Sequence, residues 1–397
     1  MPENKDNKIL NVPNLRFPEF EGEWQEKRLS DIADLSKGIG ISKDQLSADG
    51  EPCILYGELY TKYKSETIKE VISKTNIDNT KLVKSKANDV IIPCSGETAE
   101  EIATARCVLK DDILLGGDLN IIRLHGYDGS FMSHQLNGKR KYDIAKVAQG
   151  VSVVHLYGEH LKNIKTINPS LNEQKKIANL LSLLDERIST QNKIIEDLKK
   201  LRSAIIEREY TFKVQTHSHI GDFIEQNSNR NKDNIIQNVL SVSNRQGFIR
   251  QREQFEDRSI ASDDTSNYKI VARNDFAFNP ARINVGSIAR LTTFEKGIVS
   301  PMYICFHTKN SILPEYLSFY FETKQFFSEM QKRLEGSVRQ CLSYEGLCNI
   351  PLFPPVIEEQ RRIGKRLFTL VQKFNLEMTF LEMLQKQKTY LLRQMFI

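Results

Sequence analysis

Pro169-Ser-Leu-Asn-Glu-Gln-Lys-Lys-Ile177 recurs as Pro355-Val-Ile-Glu-Glu-Gln-Arg-Arg-Ile363, 186 positions later (359 − 173 = 186). Asn163-Ile164 returns as Asn349-Ile350 at the same offset. Beyond each Glu-Gln the apolar residues step by four and three. The first copy reads Ile177, Leu181, Leu184, Ile188, then polar Gln191, Ile195, Leu198, charged Arg202 and Ile205. The second reads Ile363, Leu367, Leu370, Phe374, then Glu377, Leu381, Leu384, charged Lys388 and Leu391. A seam at this spacing predicts a long helix that needs a partner helix, over about 171–209 and again over about 356–397. Ser170 or Asn172 is the expected N-cap of the first.

The nearest partner for each helix is its duplicate. The segment between them leaves the end of the first and enters the start of the second. In an antiparallel pair those points are neighbours, whereas a parallel pair would make the segment carry the chain back about 60 Å, at 1.5 Å per residue for about 40 residues. A parallel, in-register pair would also set Arg202 against Lys388. The expectation is therefore an antiparallel coiled coil with an internal pseudo-twofold repeat, in which Gln191 and Glu377 form a central polar layer fixing the register.

Before each helix lies a globular segment of short strand-like runs and turns. Val90–Pro93, Arg106–Leu109 and Leu119–Leu124 read as strands, 133–149 as a helix, and 314–334 as a helix. Asn274-Asp275-Phe276 answers Asn88-Asp89-Val90, and Gly336 answers Gly150, at the same 186 offset (274 − 88; 336 − 150). The fold class is α+β: two globular α/β domains and two long helices. The expected divisions are 1–168, including an N-terminal arm, then the helical 169–211, the second globular 212–354 and the helical 355–397.

The 397 residues suffice for two cores, and 40 % hydrophobic with 27 % charged residues is the composition of a soluble globular protein. Net charge is +5. The cysteines at 53, 94, 107, 305, 341 and 348 form no CxxC pair, so reduced thiols in a cytoplasmic protein are expected and a zinc site is not. No apolar run is long enough to span a membrane.

Catalytic constellations are hard to find. Gly38-Ile-Gly40 lacks the third glycine of a dinucleotide fingerprint, and Asn137-Gly-Lys-Arg140 lacks the Ser/Thr of a phosphate loop. Asn279-Pro280 continues as Ala281-Arg282, without the aromatic that clamps a flipped base. Pro314-Glu315 with Glu322-Thr-Lys324 sits in an amphipathic helix rather than a strand-borne nuclease site, and His217 and His219 have no third ligand nearby. No metal site and no catalytic residues are expected.

Binding chemistry is better represented. Asn244, Arg245, Arg250 and Arg252 interleave with Gln246 and Phe248, and Asn279, Arg282, Asn284 and Arg290 follow. Arg339 and Gln340 come after the Gly336 turn, where the first copy has Ser152. Arg, Asn and Gln make bidentate contacts to base edges in the major groove. Lys37, Lys43, Lys62, Arg106, Lys139 and Arg140 in the first segment are candidates to neutralise phosphates.

These motifs resemble the specificity subunit of type I restriction-modification systems. Val12-Pro-Asn-Leu-Arg-Phe-Pro-Glu-Phe-Glu-Gly-Glu-Trp24 is similar to that family's N-terminus, and the two Pro-x-x-x-Glu-Gln-x-x-Ile stretches to its central and distal conserved regions. The resemblance implies two target-recognition domains, each reading half of a bipartite site on double-stranded DNA, with the helices setting the spacer. It implies two methylation subunits that bind S-adenosylmethionine, and restriction subunits that use ATP and Mg for translocation and cleavage. No cofactor would be bound by this chain, and it would not itself be an enzyme. Two other readings stay open from sequence: a protein-interaction scaffold, and a fused methyltransferase.

Overall fold

The structure, a computed structural model, describes residues 11–150, 153–211, 218–244, 246–251, 264–336 and 340–397. The repeated motif opens a helix each time. The first runs Leu171–Glu209 and the second Ile357–Gln394. Ser170 is the cap of the first: its hydroxyl accepts from the Glu173 N–H at 3.4 Å.

The glutamine of each Glu-Gln does the same work. Gln174 donates to the Pro169 carbonyl (2.8 Å) and accepts from the Asp128 N–H (2.9 Å). Gln360 donates to the Pro355 carbonyl (2.8 Å) and accepts from the Leu313 N–H (2.8 Å). Proline ends the incoming strand or loop, and the buried amide then ties the helix start to the N-terminus of a short helix in the globular segment, satisfying groups that would otherwise be orphaned.

The chain divides into two compact units, 1–193 with 379–397, and 194–378. The boundary runs through both long helices. In the first unit a five-stranded sheet is ordered Ala33–Lys37, Leu119–Leu124, Asp89–Pro93, Arg106–Val108, Thr67–Ile68. A second is ordered Leu46–Ser47, Ser73–Thr75, Glu51–Ile54, Leu114–Leu115, Val83–Lys84. In the second unit, two four-stranded sheets centre on Ile304–Thr308 with Phe276–Phe278, and on Val239–Ser243 with Lys296–Val299. The predicted strands at 90, 106 and 119 are all present. Asn88 (φ 83°) and Asn274 (φ 76°) both turn through the left-handed region into a central strand. The following aspartate caps each turn, Asp89 accepting from the Lys86 N–H (2.8 Å) and Asp275 from the Ala272 N–H (2.9 Å).

Two expected helices are shorter than the sequence suggested. The 133–149 helix is Gly129–Asn137 and Lys141–Val147, because Gly138 ends the first piece and the Asn137 amide turns back to the Ala105 backbone (2.7 and 2.9 Å). The 314–334 helix is Pro314–Tyr320 and Lys324–Gln331, interrupted where Thr323 caps the second piece through the Phe326 N–H (3.0 Å).

The helices run antiparallel, as each unit shows by itself. In the first, Ile177, Ala178 and Leu181 share a cluster with Met395 and Phe396, and Phe396 stacks on Phe131 (5.1 Å). In the second, Ile206 and Tyr210 share a core with Ile363 and Leu367, and Tyr210 stacks on Tyr316 (4.6 Å). Phe396 and Tyr210 are equivalent (396 − 210 = 186).

The charged seam positions are answered by carboxylates from the globular segments and, for Lys388, also from the partner helix. Lys388 lies 2.6 Å from both Glu66 and Asp185, all three largely buried. Its equivalent Arg202 (388 − 202 = 186) pairs with Glu322 at 2.6 Å and lies over Phe319. Burial alone would raise the Glu66 carboxyl; His134, Lys388 and Arg106 outweigh it and hold it down at about 2. Burial raises Asp185 against the opposing pull of Lys388. His134 beside them has no hydrogen-bond partner among the described residues on either ring nitrogen, and burial pushes it down to about 4.

Lys388→Met leaves two buried carboxylates without their ion-paired ammonium and should lower stability by about 3–5 kcal/mol. Arg202→Met, at a more exposed pair, should cost about 1 kcal/mol or less, both read from urea melts. His134 stays neutral in the folded chain while the unfolded chain takes up a proton below its ordinary value of 6.5. Its contribution is therefore present above pH 6.5 and lost as pH falls towards 4. His134→Gln should flatten the urea midpoint over that window.

Candidate nucleic-acid interface

Both globular segments build one loop frame from equivalent residues. A single antiparallel bridge closes a loop at Gln149 and His155 (2.9 and 2.7 Å), and at Glu335 and Cys341 (2.9 and 2.8 Å). Gly150 (φ 126°) and Gly336 (φ 104°) begin these loops in a backbone region that side chains rarely adopt. The next residue, Leu156 or Leu342, is fully buried and donates its N–H to the Cys94 carbonyl (2.8 Å) or the Pro280 carbonyl (3.1 Å). Each bridged loop is thereby fastened to the loop leaving a central strand. Every pair here differs by 186 (335 − 149, 341 − 155, 342 − 156, 280 − 94).

In the second unit this frame gathers several residues named from sequence. Arg282 is exposed and Asn284 half-exposed in the 3-10 turn Ile283–Val285. Asn279 braces the same loop, its side-chain oxygen accepting from the Ala281 N–H (3.1 Å). Exposed Asn244 lies beside it, since a Cβ on Gly286 would sit 3.6 Å from the Asn244 Cβ. Gln340, exposed, precedes the bridge residue Cys341. Arg250 and Arg290 are placed elsewhere. Arg250 ends its strand over the Phe294 ring (5.6 Å), and Arg290 is ion-paired with Glu315 at the far end of the strand Ile288–Arg290.

In the first unit the basic residues are scattered. Lys37 is exposed over the Tyr157 ring (5.6 Å), and Lys139 is exposed in the turn after Gly138. Lys43 lines an open cleft of about 970 Å³ together with Tyr56, Gly57, Gly117 and Asp118. Lys62 lines it too but is bound to Glu58 and Ser73, both at 2.6 Å.

Arg106 differs from the sequence expectation. It donates to the Tyr63 carbonyl (3.3 and 3.2 Å) and the Ala105 carbonyl (3.0 Å), and faces Glu66 and Asp185, so its charge is turned inward. Arg140 reaches Asp143 (3.4 Å) and the Ile397 carbonyl (3.4 Å) rather than open solvent. Ser152, Arg245, Arg252 and Arg339 lie outside the described residues, as does His217. Gln191 is buried in the first unit, and Glu377 is ion-paired with Lys373 in the second.

Among the described residues, Glu66, His134 and Asp185 bring ligand atoms within 4.8 Å of one another. The Lys388 ammonium between the two carboxylates already supplies the cation, so this trio does not suit a metal ion. No helix among the described residues is long and apolar enough to cross a membrane.

The chain has counterparts among known proteins. The family model described as "Type I restriction modification DNA specificity domain" matches residues 21–200. Residues 21–200 are thus similar to that domain. It is 28 % identical over 227 residues to the type I restriction enzyme MjaVIII specificity subunit of Methanocaldococcus jannaschii, covering 56 % of this chain and 50 % of that protein. The chain spans about half the length of the curated relatives it matches. In fold it is similar to the S subunit of a type I restriction-modification system from M. genitalium, with TM-score 0.64 and 17 % identity over 97 % of this chain and 99 % of that one. A chain from a structure of type I restriction-modification complex assembly matches with TM-score 0.51 and 14 % identity, over 94 % of this chain and 97 % of that one.

The loop frame depends on backbone corners that can be tested one at a time. Gly286 (φ 89°) closes the Arg282 turn. Gly286→Ala meets only ordinary contacts there, so its cost should be the left-handed strain alone, about 1–2 kcal/mol in a urea melt.

Proposed function

We propose that this chain is the DNA sequence-specificity subunit of a type I restriction-modification complex, each globular domain reading one half of a bipartite site on double-stranded DNA. The observation that carries the reading is the pair of loop frames, built at equivalent positions and filled with different side chains. Duplicated frames with divergent loops suit two readings delivered in related geometries. The proposed target-recognition domains are 1–168 and 212–354, with the helical 169–211 and 355–397 setting the spacer.

On this reading Asn244, Asn279, Arg282, Asn284 and Gln340 contact bases, whereas Lys43 and Lys139 contact phosphates. Ser152, Arg245, Arg252 and Arg339 are further candidates by residue type. Gln191 and Glu377 fix the register of the helix pair. The long helices dock two methylation subunits, which bind S-adenosylmethionine, and restriction subunits bring ATP- and Mg-dependent cleavage. This chain supplies neither activity and works in the cytoplasm. Its relatives carry the name of specificity subunits, which supports the assignment.

Two modest sites on one scaffold reinforce each other through effective concentration only at the separation the scaffold permits. Helices of about 60 Å and a DNA turn of about 34–36 Å limit the half-sites to roughly two turns. Deleting one heptad from both helices should shorten the recognised spacer and leave both half-sites unchanged. A map of methylated adenines in a host carrying the chain and its methylation partners reads this directly. Unchanged spacing would reject the ruler role, and absence of any bipartite motif with the intact chain would reject the function. Arg282→Ala should weaken binding to the mapped site by about 1–3 kcal/mol and relax one half of it. An equal loss on every duplex would move Arg282 from base to phosphate contact.

A further inference from the structure

We propose that Lys37, His155 and Tyr157 form the base-reading platform of the first domain, beside the same loop frame that carries Asn279, Arg282 and Gln340 in the second. The proposal rests on the specificity-subunit reading above and names the residues that would carry half of it.

The loop frame makes the two places equivalent. His155 closes its bridge as Cys341 does, and Leu156 is buried and tied to Cys94 as Leu342 is to Pro280. The Asn120 amide holds the Leu156 carbonyl as well (3.0 Å). In extended chain, successive side chains point to opposite faces, so burial of Leu156 turns both neighbours outward. His155 is exposed, and Tyr157 is 45 % exposed. The His155 Nδ1 lies 3.3 Å from the Ser95 hydroxyl, which orients the ring. Tyr157 is flanked edge-on by His160 (5.7 Å) and has the Lys37 ammonium over its face at 5.6 Å.

The side chains suit readout. Lysine donates to guanine O6 and N7, an aromatic edge contacts the thymine methyl, and imidazole and phenol each donate or accept at a base edge. The cation–π contact keeps Lys37 extended over the platform. The other basic candidates of this domain are less available for reading: Arg106 and Arg140 are turned to internal partners and Lys62 is paired with Glu58. None of the three platform residues has an ion-pair partner among the described residues that would have to be broken first.

The test uses the full chain with its methylation subunits. Adenine methylation is mapped for the intact protein and for Lys37→Ala, His155→Ala and Tyr157→Ala, with Arg282→Ala as the second-domain reference. Each first-domain variant should lose roughly tenfold or more of its discrimination at a base pair of one half-site, the same half for all three. The other half and the spacer should be kept, and Arg282→Ala should relax that other half. Variants that leave both halves as selective as before, or that relax the half relaxed by Arg282→Ala, overturn the proposal while leaving the subunit assignment intact. An intact protein that yields no bipartite motif defeats the assignment instead. Should a variant methylate too little to map, competition between the mapped duplex and duplexes altered in either half gives the same two outcomes. Tyr157→Phe, which keeps the ring, should retain most of the selectivity that Tyr157→Ala loses.

Discussion

A cation set into an apolar seam has to be neutralised by something, and here each globular segment takes part. Lys388 and Arg202 occupy the same position in the two long helices; Lys388 is met by Glu66 from its globular segment and by Asp185 from the partner helix, and Arg202 by Glu322 from its own globular segment. Leaving the buried Lys388 unpaired in a low-dielectric interior would be far costlier than an exposed mismatch. The requirement therefore fixes which face of each helix its globular segment must cover. The glutamine clamp at each helix start then fixes the axial position, because its amide donates to the proline carbonyl before the helix and accepts from one N–H of the globular segment, Gln360 donating to the Ser311 carbonyl as well.

Within that constraint the two copies are unequal. Glu173 is buried and holds the N-terminal arm through a bidentate pair with Arg16 (2.7 and 2.8 Å), with Trp24 also donating to it at 3.3 Å. Its duplicate Glu359 is half-exposed and pairs with Arg362 one turn along its own helix. The same residue at the same place in a repeat thus anchors a tertiary contact in one copy and only a surface pair in the other. Sequence identity across a repeat transmits position, not role.

That distinction sets what could be read in advance. The helices, their orientation and the seam charges were legible because periodicity and the 186-residue offset depend on residues near in sequence or matched one to one. Asn88 and Asn274 were legible as a pair, though not as left-handed corners. The breaks at Gly138 and Thr323 were missed because local caps overrode a continuous amphipathic pattern. Arg106, Lys62, Arg140 and Arg290 looked like free basic groups, since nothing local announces Tyr63, Glu58, Ile397 or Glu315 as partners. His155 and Tyr157 were passed over because they are not basic and sit in a segment without a motif. Carrying the offset from Cys341 back through the loop would have pointed to His155.

Each bridged loop leaves and re-enters its domain through one pair of backbone hydrogen bonds beside a buried leucine. In the first loop Val154, between the bridge residues, is itself packed into the core, so that loop is held from inside as well as at its ends. Exchange at the exposed His155 therefore disturbs solvent rather than packing, whereas exchange at Val154 is filtered for stability as well.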